Sequence, residues 1–247
     1  MDSSLRLTVD GIENSAERVL VWANPRQLSE PCLTPLAGIV LRLVHKGRVS
    51  LCLDKPLGLS ARNRKILGAF VFESPAILID PSLDQNSPQF RFTMAHELGH
   101  LVLHGKLNLR SEDLDNPPGH IEDSRSHFLI GRKPLRTERD WLEWQANRFA
   151  SAILMPRATV RPAIVDKQEA LGVLRNRGKI FVDHQWQNIT DYYAIVDYLR
   201  AIYQTSRRMI LIRLRELKVL QDKRDMREQH ITHHIRGLFR EETHGAA

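Results

Sequence analysis

The sequence predicts an α+β fold, with two short strands ahead of one helix and a helical segment towards the C-terminal end. Three observations predict it. Residues 69–80, A-F-V-F-E-S-P-A-I-L-I-D, have the β-branched and aromatic content of two short strands, or of one strand broken at Pro75. Residues 87–105 follow with the apolar spacing of a helix. Beyond Pro156 the chain changes character, and residues 192–203 and 206–220 carry two amphipathic helical patterns joined at Gln204 and Thr205.

In order, residues 1–60 open on a polar stretch, and residues 16–23 make a short helix. Pro25, Pro31 and Pro35 punctuate the connection to residues 36–45, whose pattern suits a helix or a strand. Residues 49–53 make a strand.

The next helix reads S-P-Q-F-R-F-T-M-A-H-E-L-G-H-L-V-L-H-G. Ser87 suits the N-cap, and Pro88 the first helical position, where a missing N–H costs nothing. Phe92, Ala95, Leu98, Leu101 and Val102 supply the apolar face, and His104 and Gly105 mark the end. Gly99 costs about 1 kcal/mol inside a helix, which implies that a backbone or a substrate passes close by. At the centre stands His96-Glu97-Leu98-Gly99-His100, an H-E-x-x-H arrangement. Residues four apart lie one turn above each other with Cβ atoms about 5–6 Å apart, so two imidazoles can share one metal ion. Glu97 points to the flank of that face, where it can take a proton from a water that the metal has made acidic. Even with 11 His in the chain, composition alone gives about 0.03 chance occurrences of the pattern, so it is a signal.

A zinc site needs a third protein ligand. His104 lies about 12 Å along the axis from His96, too far to share an ion with bonds of about 2.1 Å. It reads as an inert helix end, or as a contact to a ligand residue or a substrate. A metzincin would place its third His at position 106, which is Lys106. Residues 143–156, E-W-Q-A-N-R-F-A-S-A-I-L-M-P, read as a second helix stopped by Pro156. Ala146 and Ala150 are small enough to let another helix approach closely. Glu143 and Asn147 share one face at i, i+4, which makes Glu143 the candidate third ligand and Asn147 a partner for it or for a substrate. Taken alone, this stretch could equally carry an ordinary surface Glu.

Residues 106–140 are polar, hold Pro117-Pro118-Gly119 and set seven Lys or Arg against seven Asp or Glu, which predicts a surface loop with His120 and His127 solvated. Residues 205–247 carry ten Lys or Arg and six Asp or Glu, which is +4 of the total +7. Direct DNA binding is open on that count, but packing of the apolar stripe of Ile210, Leu214 and Leu217 on the core is preferred. Residues 229–247, with His230, His233, His234 and His244, read as a loose tail. The expected organisation is a catalytic domain over 1–185, a helical segment over 186–225 and a flexible tail over 226–247. There is no apolar run near twenty residues and no leader pattern, and Cys32 and Cys52 are the only cysteines. Reduced thiols, no membrane and a cytoplasmic location are expected.

The pair F-T-M-A-H-E-L-G-H-L-V-L-H and E-W-Q-A-N-R-F-A-S-A-I-L-M-P closely resembles the ImmA/IrrE family of metallopeptidases, over roughly residues 65–160. In that family an A-H-E-L-G-H helix is followed by E-x-x-A-N-x-F-A-x-x-L-L-M-P. The resemblance implies a zincin-like domain with a small mixed sheet beside the active-site helix, whose Zn²⁺ is held by His96, His100 and Glu143, with Glu97 as catalytic acid/base; Mn²⁺ or another divalent ion is the alternative. It implies a protein substrate, a DNA-binding repressor whose removal switches on stress or mobile-element genes. Many relatives carry a helix-turn-helix domain at the N-terminal end, and none is visible here. The segment T-S-R-R-M-I-L-I-R-L-R-E-L-K-V-L resembles the small helical unit that often follows the catalytic core. Two other readings stay open: a zinc-binding regulator that holds a repressor or DNA without cutting, and a toxin-like or phage-defence peptidase. Intact Glu97 argues against the first. His184, Tyr192 and Tyr193 are unranked candidates for an oxyanion donor.

Overall fold

Thr8 accepts a hydrogen bond from Gly11 N through Oγ1 at 3.1 Å and starts α1 (Val9–Ala23), which therefore begins earlier than the short helix expected over 16–23. The computed structural model describes residues 6–60, 63–105, 120–122 and 137–224. The expectations for Pro117-Pro118-Gly119, for His127 and for the tail with His230, His233, His234 and His244 lie outside the described residues. A short 3₁₀ turn, Pro25–Leu28, leads to α2 (Leu36–His45), so the ambiguous apolar pattern there is helical, with Leu36, Ile39 and Val40 buried.

The sheet is built from β1 (Ser50–Cys52), β2 (Ile66–Val71), β3 (Ala76–Ile79) and β4 (His120–Glu122), in the order β1-β3-β2-β4. β1 runs parallel to β3, and β2 is antiparallel to both β3 and β4, so the sheet is mixed. The stretch over 69–80 falls in its two inner strands, with Pro75 in the turn between them, although β2 begins three residues earlier than expected, at Ile66. β4 corrects the expected loop over 106–140. His120 pairs with Ala69 and Glu122 with Ile66, so that segment contributes an outer strand beside β2. Three residues are too few for a strand period to stand out in a polar stretch.

α3 (Pro88–His104) starts as the sequence requires, with Ser87 Oγ accepting from Phe90 N at 3.1 Å and Pro88 in the first turn. α4 (Glu138–Leu154) opens on a capping box. Asp140 N donates to Thr137 Oγ1 at 3.0 Å, and Thr137 N to Asp140 Oδ2 at 2.9 Å. The two helices meet closely: a Cβ on Gly99 would stand 3.2 Å from Cα and O of Ala146 and from Cδ1 of Phe149. The backbone that Gly99 implied is α4. Around this crossing Ala95, Leu98, Ala146, Phe149, Ala150 and Ile153 are fully buried.

The rest of the chain is α5 (Arg157–Ala170), β5 (Ile180–Val182), α6 (Trp186–Tyr203), α7 (Arg207–Glu216) and β6 (Leu220–Asp222). Gln204 adopts the left-handed conformation, φ 48° and ψ 48°, and Ser206 caps α7 through Met209 N, so the turn falls where the sequence places it. α7 is shorter than the 206–220 expected. Lys218 turns the chain at φ 55°, and β6 then pairs in parallel with β5. Ile210 and Leu214 are buried and Leu217 partly so. No helix of the described residues is long and apolar enough to cross a membrane. Cys32 and Cys52 are both free thiols.

One polar device ties α7 to the remainder. Arg213 is fully buried and donates to Glu13 Oε1 at 2.6 Å, Glu13 Oε2 at 2.8 Å and Met155 O at 2.8 Å. Burial alone would raise the Glu13 carboxyl; the Arg213 guanidinium outweighs it and holds the acid below its ordinary value. Removing one member leaves the other charged and unpaired in the interior, at a cost of about 3–5 kcal/mol. Arg213→Leu is therefore expected to lose that much stability in urea denaturation, and the double change Glu13→Leu, Arg213→Leu to recover most of it.

Candidate metal centre

Four-residue spacing places His96, His100 and His104 along one side of α3, and all three are buried. α4 crosses α3 at Ala146, and Glu143 and Asn147 lie on either side of that contact along the chain. The crossing therefore delivers Glu143 to the two upper imidazoles. Its Oε2 is 3.2 Å from His96 Nε2 and its Oε1 is 3.7 Å from His100 Nε2, while the two Nε2 atoms are 3.0 Å apart. Among the described residues this is the one group of His, Cys, Asp and Glu side chains whose ligand atoms converge in this way, all within 4.8 Å. A tetrahedral ion with bonds of about 2.1 Å has ligand-to-ligand edges of about 3.4 Å. The three separations bracket that value, so the residues fit a divalent ion.

Glu97 supplies an independent test of the fit. Both of its carboxyl oxygens are buried, and among the described residues neither has a hydrogen-bond partner. Burial first, and then the charge of Glu143, push this carboxyl well above the usual range. An interior carboxyl without a partner is costly, and a cation with an attached water at the neighbouring cluster would supply one. Burial likewise holds His100 well below the ordinary imidazole value, against the opposing pull of Glu143.

β2 lies directly against this part of α3. A Cβ on Gly68 would come within 2.4 Å of Thr93 Cγ2 and 2.8 Å of Glu97 Oε1, so only glycine lets the strand pass this close. Sequence reasoning missed Gly68. Gly68 stands one residue before the stretch read as strand; extending that strand back to Ile66 would have made it an isolated strand glycine, which marks a bulge or a close backbone approach. The pairing of β2 with β4 does shift register between Ile66 and Gly68.

Asn147 Oδ1 is 3.1 Å from His96 Nδ1, behind the imidazole. His104 stands behind His100, with the two Nδ1 atoms 3.1 Å apart, and its Nε2 is 3.4 Å from Gln145 Oε1. Burial lowers the His104 ring to about 4. His104 takes no part in the converging group. Of the oxyanion candidates, Tyr192 lies under the Arg224 guanidinium at 4.7 Å and Tyr193 under that of Arg207 at 5.0 Å.

Residues 59–215 match the Peptidase M78 family, described as an IrrE N-terminal-like domain. The matched span runs from just before β2, through both helices of the centre, to the last turn of α7. No curated protein and no solved structure matches the chain.

The fit of β2 over Glu97 predicts that Gly68→Ala destabilises the chain by about 1–3 kcal/mol through overpacking. Gly38→Ala, on α2 where a Cβ meets nothing within 4 Å, is the control and should be neutral or stabilising. Paired thermal melts read the difference.

Proposed function

The chain belongs to the Peptidase M78 family, and on that premise we propose that it is a zinc-dependent endopeptidase hydrolysing a peptide bond in a partner protein. The observation that carries the reading is the convergence of His96, His100 and Glu143 beside the buried carboxyl of Glu97, which has no hydrogen-bond partner among the described residues. In this reading the two imidazoles and the Glu143 carboxylate hold the ion. Two nitrogens and one carboxylate suit Zn²⁺, with Mn²⁺ the alternative. When bound, the ion supplies Lewis acidity towards a peptide carbonyl and a water. Glu97 takes the proton of the attacking water on its carboxylate and hands it to the departing amine nitrogen. Asn147 accepts the Nδ1–H of His96 and so aims Nε2 at the cluster. Gly68 lets β2 close over the carboxylate and keep bulk water away from it.

We assign the partner as a DNA-binding repressor in the cytoplasm, whose cleavage relieves repression. The support is the resemblance carried by the two helices, together with a net charge of +7 that suits a partner associated with nucleic acid.

Glu97→Gln tests the reading, because it keeps the ligands and removes the base. Zinc-loaded protein is incubated with a repressor encoded beside it, and products are read by mass spectrometry. The wild type should yield two fragments, and Glu97→Gln with unchanged zinc should be slower by at least about 10²–10⁴-fold. Relief of repression by Glu97→Gln as strong as by the wild type would mean that the protein acts by binding alone.

A further inference from the structure

We propose that His104 and Gln145 form a directed hydrogen-bond relay that positions the metal-ligand imidazole of His100, with neutral His104 as the acceptor. The inference rests on the metal-centre reading above. Hydrogen counting gives the direction. Nε2 of His100 faces His96 Nε2 and Glu143, so in the liganded state the ring hydrogen of His100 is on Nδ1. That Nδ1 lies 3.1 Å from Nδ1 of His104, and one hydrogen serves the pair, so His104 Nδ1 accepts. The single hydrogen of His104 is then on Nε2, which donates to Gln145 Oε1 at 3.4 Å.

The relay returns to α4, the helix that carries Glu143. Asn147 on the same helix lies against Nδ1 of His96 at 3.1 Å. The two ligand imidazoles on α3 are thus held from behind by side chains anchored in α4: His96 directly, His100 through His104. The usual partner behind a ligating imidazole is a carboxylate or a carbonyl; here it is a second imidazole whose tautomer Gln145 sets. His104 is 1% exposed and both of its ring nitrogens are engaged, which leaves no face for a substrate. Gln145, two residues after Glu143 on α4, is itself buried, and its Oε1 meets His104 at the last turn of α3.

The relay predicts an effect on metal affinity that a packing role would not give. Zinc affinity is measured on the full chain by competition with a chromogenic chelator, and the melting of the metal-free form reports folding. His104→Phe fills the space without an acceptor and should weaken zinc binding about 10–100-fold. His104→Asn places Oδ1 close to the position of Nδ1 and should restore affinity to within a few fold. Gln145→Leu should weaken binding in the same direction. The second readout is ¹⁵N NMR of the zinc-bound wild type, which should find hydrogen on Nδ1 of His100 and on Nε2 of His104. Wild-type affinity in His104→Phe, or hydrogen on Nδ1 of His104, overturns the relay while leaving the metal centre standing. A wild type that binds no zinc overturns both.

Discussion

The close crossing of α3 and α4 at Gly99 and Ala146 is the constraint on which the structure depends. With no side chain on one helix and a single methyl on the other, the backbones meet in van der Waals contact. At that separation the Glu143 carboxylate reaches both imidazoles on the other helix. Fully buried Ala95, Leu98, Phe149 and Ile153 surround the crossing and fix its geometry, since close-packed interiors respond to a change of even one methylene. The sheet adds a second contact at Gly68, which confines Glu97 from the other side.

This arrangement buries an unusual amount of polar surface. His96, Glu97, His100, His104, Gln145 and Asn147 are all buried. Hydrogen bonds across the two helices offset part of that cost, whereas the carboxyl of Glu97 has no hydrogen-bond partner among the described residues. A cation held by His96, His100 and Glu143 would offset what the side chains leave over and would couple folding to metal binding. The same economy operates where α7 docks. Arg213 is buried against Glu13 and Met155 and connects the C-terminal helices to α1 and to the end of α4.

The site is more legible in the sequence than the fold around it. The H-E-x-x-H spacing, the cap at Ser87 and the small residues Ala146 and Ala150 are local signals; that Glu143 converges on the two imidazoles is a tertiary fact which the sequence reached only through the resemblance of the two helices. What escapes has no local signature. β4 is three residues in a polar stretch, and β5 pairs in parallel with β6 across two helices. α5 is obscured by Pro162, although Thr159, Val160, Ala163 and Ile164 bury a helical stripe there. Arg213 reads as one more solvated charge until its partner, 200 positions away, is known. His104 can be excluded as a ligand by helix geometry alone, but its contact with Gln145 is tertiary.

The measurement that tests the account most directly is zinc per chain by elemental analysis, after dialysis against a weak chelator to strip loosely held ions. The wild type should retain about one zinc, and Glu143→Ala, which removes the ligand that only the crossing of α3 and α4 supplies, should lose it. Retention of that zinc by Glu143→Ala, or a wild type without metal, would contradict the three-residue centre.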